Sequence, residues 1–415
     1  MKGNTRQAPH DMEKGPHIVA LAIHGGAGGT TTPDLPADLV AAYRNRLRTI
    51  LVNTYHQGRT SSLDAVCHAV SQLEDTPLFN AGKGAVFDLA GRTVCESSLM
   101  TTQPGFHSRN VAVTGVRRTK SPILLCRALL ENNEQLGGHV FYSGRAAEEV
   151  GWKHGTERVS KRYYFTKRRW VEHKKGIETM KLTELAREAD ISDEEDEVEA
   201  TKANPPAYST SPLPTSTKAD HEDLAIFDRY AHLTDFLPQG TVGAVALDSH
   251  GHLSVATSTG GKTNKFPGRI GDTPSVGSGF WAESWSATAS KRRTLLVRLM
   301  RSIFPRSSSS KSTSDAGLAI SGTGDGDFFL RANFASSIAH RIKYGSAPTG
   351  EAIKSAIDEL ADMFGSKKGV GGAIILDKQG NAYFPLAAST MNRGLISEAT
   401  EFLPRVAIFD DEKME

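Results

Sequence analysis

The sequence predicts a layered protein of the α+β or α/β class, in which helices cover β-sheets. Three observations support this prediction. Pairs of strand-like runs with alternating apolar residues are joined by short turns, as in 241–259 and 371–387. Apolar residues recur at helical spacing elsewhere along the chain. The composition is that of a globular protein, with 415 residues of which 38% are hydrophobic and 23% charged, and this length can bury a large core.

The first elements follow from local pattern. Ile18–Ile23 is continuously apolar, which predicts a buried strand, and the sequence HGGAGG that follows predicts a tight turn. Apolar residues in 39–51 have the spacing of one helix face. Ser61 or Ser62 is the predicted cap of a second helix, whose apolar face runs through residues 65–73.

Two further elements are predicted before residue 152. The segment LFNAGKGAVFDLAGRTVCESSLM has a turn at LAG between two strand-like arms, which predicts a hairpin. Residues 121–131 have helical character, and Pro122 is well tolerated in the first turn of a helix.

The character of the chain changes between about Lys153 and Leu237. This stretch contains the basic and aromatic KRYYFTKRRW, an acidic run at 192–200, and the Pro/Ser/Thr-rich NPPAYSTSPLPTSTK. Such segments bury too little apolar surface to offset the entropy of ordering. The prediction is therefore a flexible linker that packs little against the rest of the protein, with the acidic run as solvated chain.

Ordered elements resume at Thr241. TVGAVALD and HLSVATST predict a second hairpin, and GGAIILD with AYFPLAA predicts a third. Between them, 285–315 is predicted to be a low-complexity insertion that contains a short basic amphipathic helix and the run SSSSKSTS. The chain thus divides at 240/241 into two incomplete halves joined by the linker.

Composition restricts the classes of function. The formal net charge of +2 does not favour a nucleic-acid partner. The three cysteines lack the spacing of a metal site and are expected to be free thiols in a reducing compartment. The N-terminus has no apolar signal region and no apolar run approaches membrane-spanning length, so no membrane partner and a cytoplasmic location are expected.

Thr241 is a candidate nucleophile because it follows Gly240 where order resumes. A threonine hydroxyl needs a base, and at a chain terminus the α-amine supplies one, with a pKa of about 7.7–8.0. This chemistry requires cleavage of the Gly240–Thr241 bond, and a glycine adds no bulk beside it. A threonine that merely begins a strand is the plainer interpretation of these residues alone.

Two loops carry further candidates. In STGGKTNKFPGRIGDTP, Arg269 can bind a carboxylate through two parallel hydrogen bonds and Asp272 can pair with an ammonium group, so together they could hold a free α-amino acid. A surface ion pair is the plainer alternative. SGTGDGD (321–327) offers backbone N–H groups and hydroxyls for an oxyanion, or less specifically a phosphate loop.

Five ordered motifs carry a resemblance to a known family: HGGAGG, LEDTPLFNAGKGAVF, GTVGAVALDSHG, ATSTGGKTNKFPGRIGDTP and SGTGDGDFFLR. Together with GVGGAIILDKQGNAYFPL, they resemble the plant-type asparaginase/isoaspartyl-peptidase family of N-terminal-nucleophile hydrolases. The resemblance covers roughly 18–152, 238–284 and 316–397. It implies a four-layer αββα sandwich of the α+β class, made from a precursor that cleaves itself into an α part (1–240) and a β part (241–415). Pairs of these heterodimers are expected to associate.

The resemblance also implies residue roles. Thr241 matches the nucleophile and Thr259 the threonine that supports its orientation. Arg269 and Asp272 match the residues that bind the substrate's α-carboxylate and α-amine, and Ser321 with Gly322 match the pair that stabilises the oxyanion. Asn80 is expected near the cleavage site. The substrate is an amino acid or dipeptide bound by Arg269, Ile270, Gly271, Asp272, Ser321, Gly322, Thr323 and Gly324.

No cofactor is required by this chemistry, but the loop 73–83 resembles one that holds a structural sodium ion through backbone carbonyls. Its residues are Leu73, Glu74, Thr76, Phe79, Ala81 and Lys83. The sequence departs from the family in its longer linker, in the unusual insertion at 285–315 and in three short motifs. Ser321 replaces a more usual threonine, VCESSLM replaces an ELDASIM-like arm, and Asp325-Gly326 adds a residue to the glycine loop.

Three alternatives remain at the level of sequence. A threonine endopeptidase resembling taspase shares the fold and has a long linker, although HGGAGG and GRIGD favour recognition of a free amino acid. Glycosylasparaginase would require a secretory signal. A non-catalytic scaffold would present the charged segments to a partner and would keep an intact chain, whereas the enzyme would consist of two fragments.

Overall fold

Two β-sheets form the centre of the molecule. The structure is a computed structural model that describes residues 17–29, 35–57, 61–180, 218–230, 240–286 and 315–414. The described strands are β1 Ile18–Gly28, β2 Cys95–Thr101, β3 Asn110–Val116, β4 Phe141–Ser143, β5 Val242–Asp248, β6 Leu253–Thr259, β7 Phe280–Ser286, β8 Asp315–Gly324, β9 Gly371–Asp377, β10 Ala382–Tyr383, β11 Leu386–Ala387, β12 Thr390–Ser397 and β13 Arg405–Phe409. One sheet has eight strands in the order β13-β12-β1-β5-β6-β2-β3-β4, and the other has five, in which β11 joins the path β10-β9-β8-β7 through β9.

Helices pack around these sheets. The described α-helices are α1 Ala37–His56, α2 Ser62–Asp75, α3 Pro122–Glu131, α4 Gly144–Lys153, α5 Lys167–Met180, α6 Lys218–Arg229, α7 Gly326–Ala332, α8 Phe334–Lys343 and α9 Thr349–Phe364. Ser61 caps α2, since its hydroxyl accepts a hydrogen bond from the backbone N–H of Asp64. Among the described strands every pairing is antiparallel except β3 with β4, which places the protein in the α+β class.

The core consists of three apolar clusters. Alternate residues of β1 belong to different clusters, because successive side chains of a strand face opposite ways. Leu21 and Ile23 join side chains of α1, α2 and α3 on one face of the large sheet, whereas Ala20 and Ala22 join residues of β5, β8 and β9. The third cluster lies between the small sheet and α7–α9 and includes Phe329 and Leu360.

Most predicted elements before residue 152 and after 241 are confirmed. The first strand, the two following helices, the 122–131 helix and the hairpins at β5/β6 and β9/β10 all form. Around the LAG turn only an isolated bridge forms, between Phe87 and Thr93. Cys67, Cys95 and Cys126 are free, as predicted, and all three are buried.

The prediction that 153–237 packs little is wrong for its described parts. Residues 161–164 form a 3-10 turn with Tyr163 and Tyr164 buried, and α5 buries Arg168, Arg169, Glu172 and His173. In α6, Phe227 is fully buried. The arginine guanidinium groups pair with Glu172 and stack on Phe227, so charged residues here enter the core instead of solvating a linker. The acidic run, the Pro-rich stretch and residues 287–314 of the insertion lie outside the described residues.

Within the described ranges, no helix combines the length and hydropathy needed to cross a membrane.

Candidate active site

Thr241 lies at the start of β5, in the middle of the eight-stranded sheet. Its side chain is buried, and its Oγ1 lies 2.9 Å from Oγ1 of Thr273. Its carbonyl oxygen accepts a hydrogen bond of 2.9 Å from the hydroxyl of Thr323. The candidate nucleophile is therefore held by hydroxyls from two other segments.

Gly240 leaves no room for a side chain beside the predicted cleavage site. A Cβ atom at this position would lie 2.4 Å from Oγ1 of Thr323 and 2.6 Å from the backbone nitrogen of Ala27. Both distances are far shorter than real Cβ contacts. The tertiary structure thus requires the glycine that the sequence places before Thr241.

A small cleft opens beside Thr241. It brings together the residue before β5, the ends of β6 and β8, the loop that follows β6 and the start of α7. The residues that line it are Thr241, Thr259, Gly261, Lys262, Arg269, Gly271, Asp272, Gly324 and Gly326. Thr259 lies on β6 next to β5, where its Oγ1 accepts the backbone N–H of Gly261 at 2.9 Å. Ile270 does not line this cleft, and its side chain is exposed.

Asp272 is a buried carboxyl with an unused oxygen. Among the described residues, its Oδ2 has no hydrogen-bond donor. Burial raises the pKa of this carboxyl to about 7. Below that pH the group is protonated, so an ammonium group would be bound best above it. An ammonium ligand would supply the missing donor and favour the ionised form.

Arg269 lies beside Asp272 and within a network of charges. Its Nη2 donates to Oδ1 of Asp327 at 2.8 Å, and Lys262 pairs with Asp325 at 3.0 Å and with Asp327 at 3.5 Å. An anionic ligand that binds Arg269 therefore competes with Asp327. Lys262 remains within reach of the displaced carboxylate.

Glu96 supports this loop and was missed at the sequence level. It lies on β2 opposite Thr259, within the unusual VCESSLM arm. Its carboxylate accepts the backbone N–H of Gly271 at 3.1 Å. Burial raises its pKa, while the nearby Lys265 and Arg269 oppose the shift. Glu96 is marked as part of the site only by its position beside the predicted substrate loop. The sequence does not show that position.

Ser321 and Gly322 do not fit their predicted role as the oxyanion pair. The hydroxyl of Ser321 is bonded to Nε2 of His24 at 2.7 Å, and both side chains are fully buried. The N–H of Gly322 is committed to the carbonyl of Gly279 at 2.7 Å. Neither residue lines the cleft. The prediction fails because these residues lie deeper along β8 than the cleft, which β8 reaches only at its end.

His24 is a neutral buried side chain that the sequence did not single out. Burial lowers the pKa of its imidazole to about 3. It lies in the HGGAGG motif, within hydrogen-bonding distance of Ser321. The feature of the sequence that could have identified His24 is that it directly follows the continuously apolar run Ile18–Ile23.

Comparison with known proteins agrees with this geometry. The asparaginase family profile matches residues 17–291 and 312–403. The chain is 31% identical over 379 residues to a protein of Dictyostelium discoideum named putative isoaspartyl peptidase/L-asparaginase, which covers 91% of this chain and 92% of that one. The chain belongs to the asparaginase family.

Two further relatives have similar names. The isoaspartyl peptidase of Escherichia coli K12 is 31% identical over 90% of this chain and 91% of its own. The isoaspartyl peptidase/L-asparaginase of Bos taurus is 29% identical over 87% of each chain. The resemblance drawn from the motifs is thereby confirmed.

Asn80 joins two segments of this asparaginase-family fold. Its Nδ2 donates to the carbonyl of Gly261 at 2.7 Å, and its Oδ1 accepts from Val86 N–H at 3.0 Å. Its own carbonyl accepts the N–H of Gly260 at 2.9 Å. Asn80 thus holds the loop after Thr259 in place, which agrees with the expectation that it lies near the site.

The loop 73–83 packs its backbone closely against Gly82 and Gly84. A Cβ on Gly84 would lie 2.1 Å from the carbonyl oxygen of Phe79 and 2.7 Å from that of Pro77. A Cβ on Gly82, where φ is +51°, would lie 2.5 Å from the carbonyl oxygen of Glu74. Three of the predicted ligand carbonyls, those of Leu73, Glu74 and Thr76, accept the backbone N–H groups of Thr76, Lys83 and Phe79.

Proposed function

We propose that this protein is a threonine hydrolase that acts on the side-chain amide of L-asparagine and on β-aspartyl peptides. The observation that carries the proposal is the placement of Thr241 in one cleft with Arg269 and Asp272, whose buried Oδ2 lacks a donor. These groups match a nucleophile, a carboxylate receptor and an ammonium receptor. The names of the relatives support the same substrates.

Turnover of both substrates by purified protein tests the proposal. Release of ammonia from L-asparagine and of leucine from β-aspartyl-leucine should both be detected after maturation. Release of neither product by fully cleaved protein would rule out the proposed activity.

Maturation is proposed to begin with Thr241 itself. Its hydroxyl attacks the carbonyl carbon of Gly240, the N→O shift gives an ester, and water releases Thr241 with a free α-amine. Residues 1–240 and 241–415 then remain together as a heterodimer within an αββα sandwich, and two heterodimers associate. A light-scattering mass equal to two copies of the cleaved chain is the expected result.

The freed amine allows turnover without a cofactor. It takes the proton of the Thr241 hydroxyl as that oxygen attacks the side-chain carbonyl of the substrate, and returns it to the leaving nitrogen. Ammonia or an amino-terminal product leaves, and water then hydrolyses the β-aspartyl ester. Thr259, at the adjacent end of β6, keeps its proposed role in orienting the nucleophile.

Thr323 and Gly324 are the residues proposed to stabilise the oxyanion. They lie two positions beyond the pair expected from the sequence. The hydroxyl of Thr323 already reaches the carbonyl of Thr241, and Gly324 lines the cleft. Thr323→Val should lower kcat on the order of a hundredfold, the usual effect of losing one oxyanion donor. Steady-state kinetics on the cleaved fraction measures this.

Ser321→Ala is the matched control for that prediction. It removes a hydroxyl from the same face of β8 and leaves His24 without its bond, so the protein should lose stability, about 1–3 kcal/mol, with kcat changed less than about tenfold. If Ser321→Ala lowered kcat more than Thr323→Val, Ser321 would again be the residue that stabilises the oxyanion.

A structural sodium ion is proposed for the loop 73–83. Backbone carbonyls suit a hard monovalent cation, and the ion would be held by the backbone oxygens of Leu73, Glu74, Thr76, Phe79, Ala81 and Lys83. When bound, the ion neutralises these dipoles and stiffens the loop that carries Asn80. The melting temperature should be several degrees higher in sodium chloride than in tetramethylammonium chloride at equal ionic strength. Equal melting temperatures would contradict a bound sodium ion.

A further inference from the structure

Helix α5 contacts the substrate-binding loop through one reciprocal pair. Nδ1 of His173 lies 2.5 Å from Oδ1 of Asn264, and Nδ2 of Asn264 donates to the carbonyl of His173 at 3.1 Å. One turn later, a Cβ on Gly176 would come within 2.3 Å of the Asn264 amide. The helix and the loop are therefore fitted closely at this point.

Asn264 determines the course of the loop toward the cleft. Its φ of 56° lies in the left-handed region, which asparagine tolerates better than most residues. Its N–H donates to the carbonyl of Phe87 at 2.8 Å, and the next carbonyl, of Lys265, accepts from Leu89 at 2.9 Å. The same loop then carries Arg269 into the cleft. A side chain that holds Asn264 in place therefore also fixes the start of the loop that carries Arg269, the proposed carboxylate receptor.

The other end of α5 is anchored by buried charges. The carboxylate of Glu172 accepts from Arg168 at 3.1 Å and from Arg169 at 2.8 Å, and all three side chains are buried. Arg169 also donates to the carbonyl of Gly84 at 2.8 Å. The ring of Phe227 from α6 lies 4.5 Å from the guanidinium of Arg168. Because disrupting such a buried network is costly, the start of α5 is held firmly in place, and the position of His173 is fixed with it.

We propose that His173 is a positioning residue, which holds the Arg269–Asp272 loop in its substrate-binding conformation through Asn264. The inference rests on the proposed function and extends it to a helix upstream of the cleavage site. Thr241 directly precedes β5 and Thr323 lies on β8, so both are outside this loop. Loss of the pair should therefore weaken substrate binding more than it slows the chemical step.

A double-mutant cycle tests the pair. The variants are His173→Ala, Asn264→Gly and the two combined. Glycine keeps the left-handed backbone while it removes the Asn264 side chain. Each single variant should raise KM for L-asparagine and β-aspartyl-leucine about tenfold, the effect of one to two lost hydrogen bonds, with kcat within about twofold. The combined variant should be no worse than Asn264→Gly alone, because that variant already removes the contact with the His173 ring.

Two further variants complete the test. His173→Asn places an amide N–H near the position of Nδ1 and should restore most of the lost affinity. Lys174→Ala, at an exposed position of the same helix, should leave KM unchanged. Changes in melting temperature with KM unaltered in His173→Ala, or additive KM effects in the cycle, would overturn the positioning role.

The outcome separates this inference from the proposed function. If the wild type hydrolyses neither substrate, the proposed function fails, and calorimetric binding of L-aspartate then decides the role of His173. Tenfold weaker binding by His173→Ala supports it, whereas equal binding, or no binding by the wild type, overturns it.

Discussion

Thr241→Ala should yield a single uncleaved chain of 44.8 kDa with no detectable hydrolysis of L-asparagine or β-aspartyl-leucine. The variant removes the only oxygen that can attack the Gly240 carbonyl in the proposed maturation, and the nucleophile of turnover with it. The loss should be on the order of a thousandfold or more in kcat, as for other covalent nucleophiles. Intact-mass spectrometry and an ammonia assay measure the two effects.

Thr241→Ser is the matched variant because it keeps the hydroxyl and the α-amine. It should cleave slowly or in part and retain activity in the cleaved fraction. Thr273→Ala tests whether the neighbouring hydroxyl of Thr273 contributes to cleavage and turnover, since its Oγ1 lies 2.9 Å from that of Thr241. Hydrolysis by a wild-type protein that stays a single chain would contradict a mechanism that depends on a terminal threonine.

Arg269→Ala should lower substrate affinity about ten- to a hundredfold and remove the preference for a free α-carboxylate. A hydrogen-bonded charged contact contributes about 1.5–3 kcal/mol, which corresponds to this range. Arg269→Lys should also be impaired, because an ammonium group cannot reproduce the planar two-point contact. The measurement compares β-aspartyl-leucine with the same compound amidated at the α-carboxyl of its aspartyl part.

Arg341→Ala provides the control for Arg269. It removes an arginine of similar size that pairs with Glu359 on the surface of α8 and α9, and it should leave the preference unchanged. Equal wild-type turnover of the two compounds would argue against a free amino-acid site. That result would favour the endopeptidase alternative, whose substrate has peptide bonds at the same positions.

Local sequence was sufficient for β1, for α1 to α3 and for the hairpins β5/β6 and β9/β10. The β5/β6 hairpin follows from alternation around the SHG turn, and α2 follows from a serine cap before an apolar face. Thr241, Arg269 and Asp272 were identified from side-chain chemistry and motif resemblance, and the structure brings all three into one cleft. These features depend on neighbours in the sequence or on a short motif.

The sequence could not decide which hydroxyl of β8 contacts Thr241. Ser321 and Thr323 lie two residues apart and therefore on the same face of the strand. Their partners differ because β8 packs Ser321 against His24 and brings Thr323 to Thr241. The N–H of Gly322 is likewise occupied by Gly279, a partner from a different segment.

By itself, the sequence indicated the class of chemistry, the candidate for the nucleophile and elements such as β1, α1 to α3 and the β5/β6 hairpin, since each depends on local residues. The tertiary structure alone decided that α5 packs against the substrate loop. Arg168, Arg169 and His173 are polar by composition, and a linker was the natural expectation. They are buried because Glu172 neutralises charge within the helix while Phe227, Gly84 and Asn264 approach from distant parts of the chain. Burial of a polar residue depends on its partners in space, and composition does not record those partners.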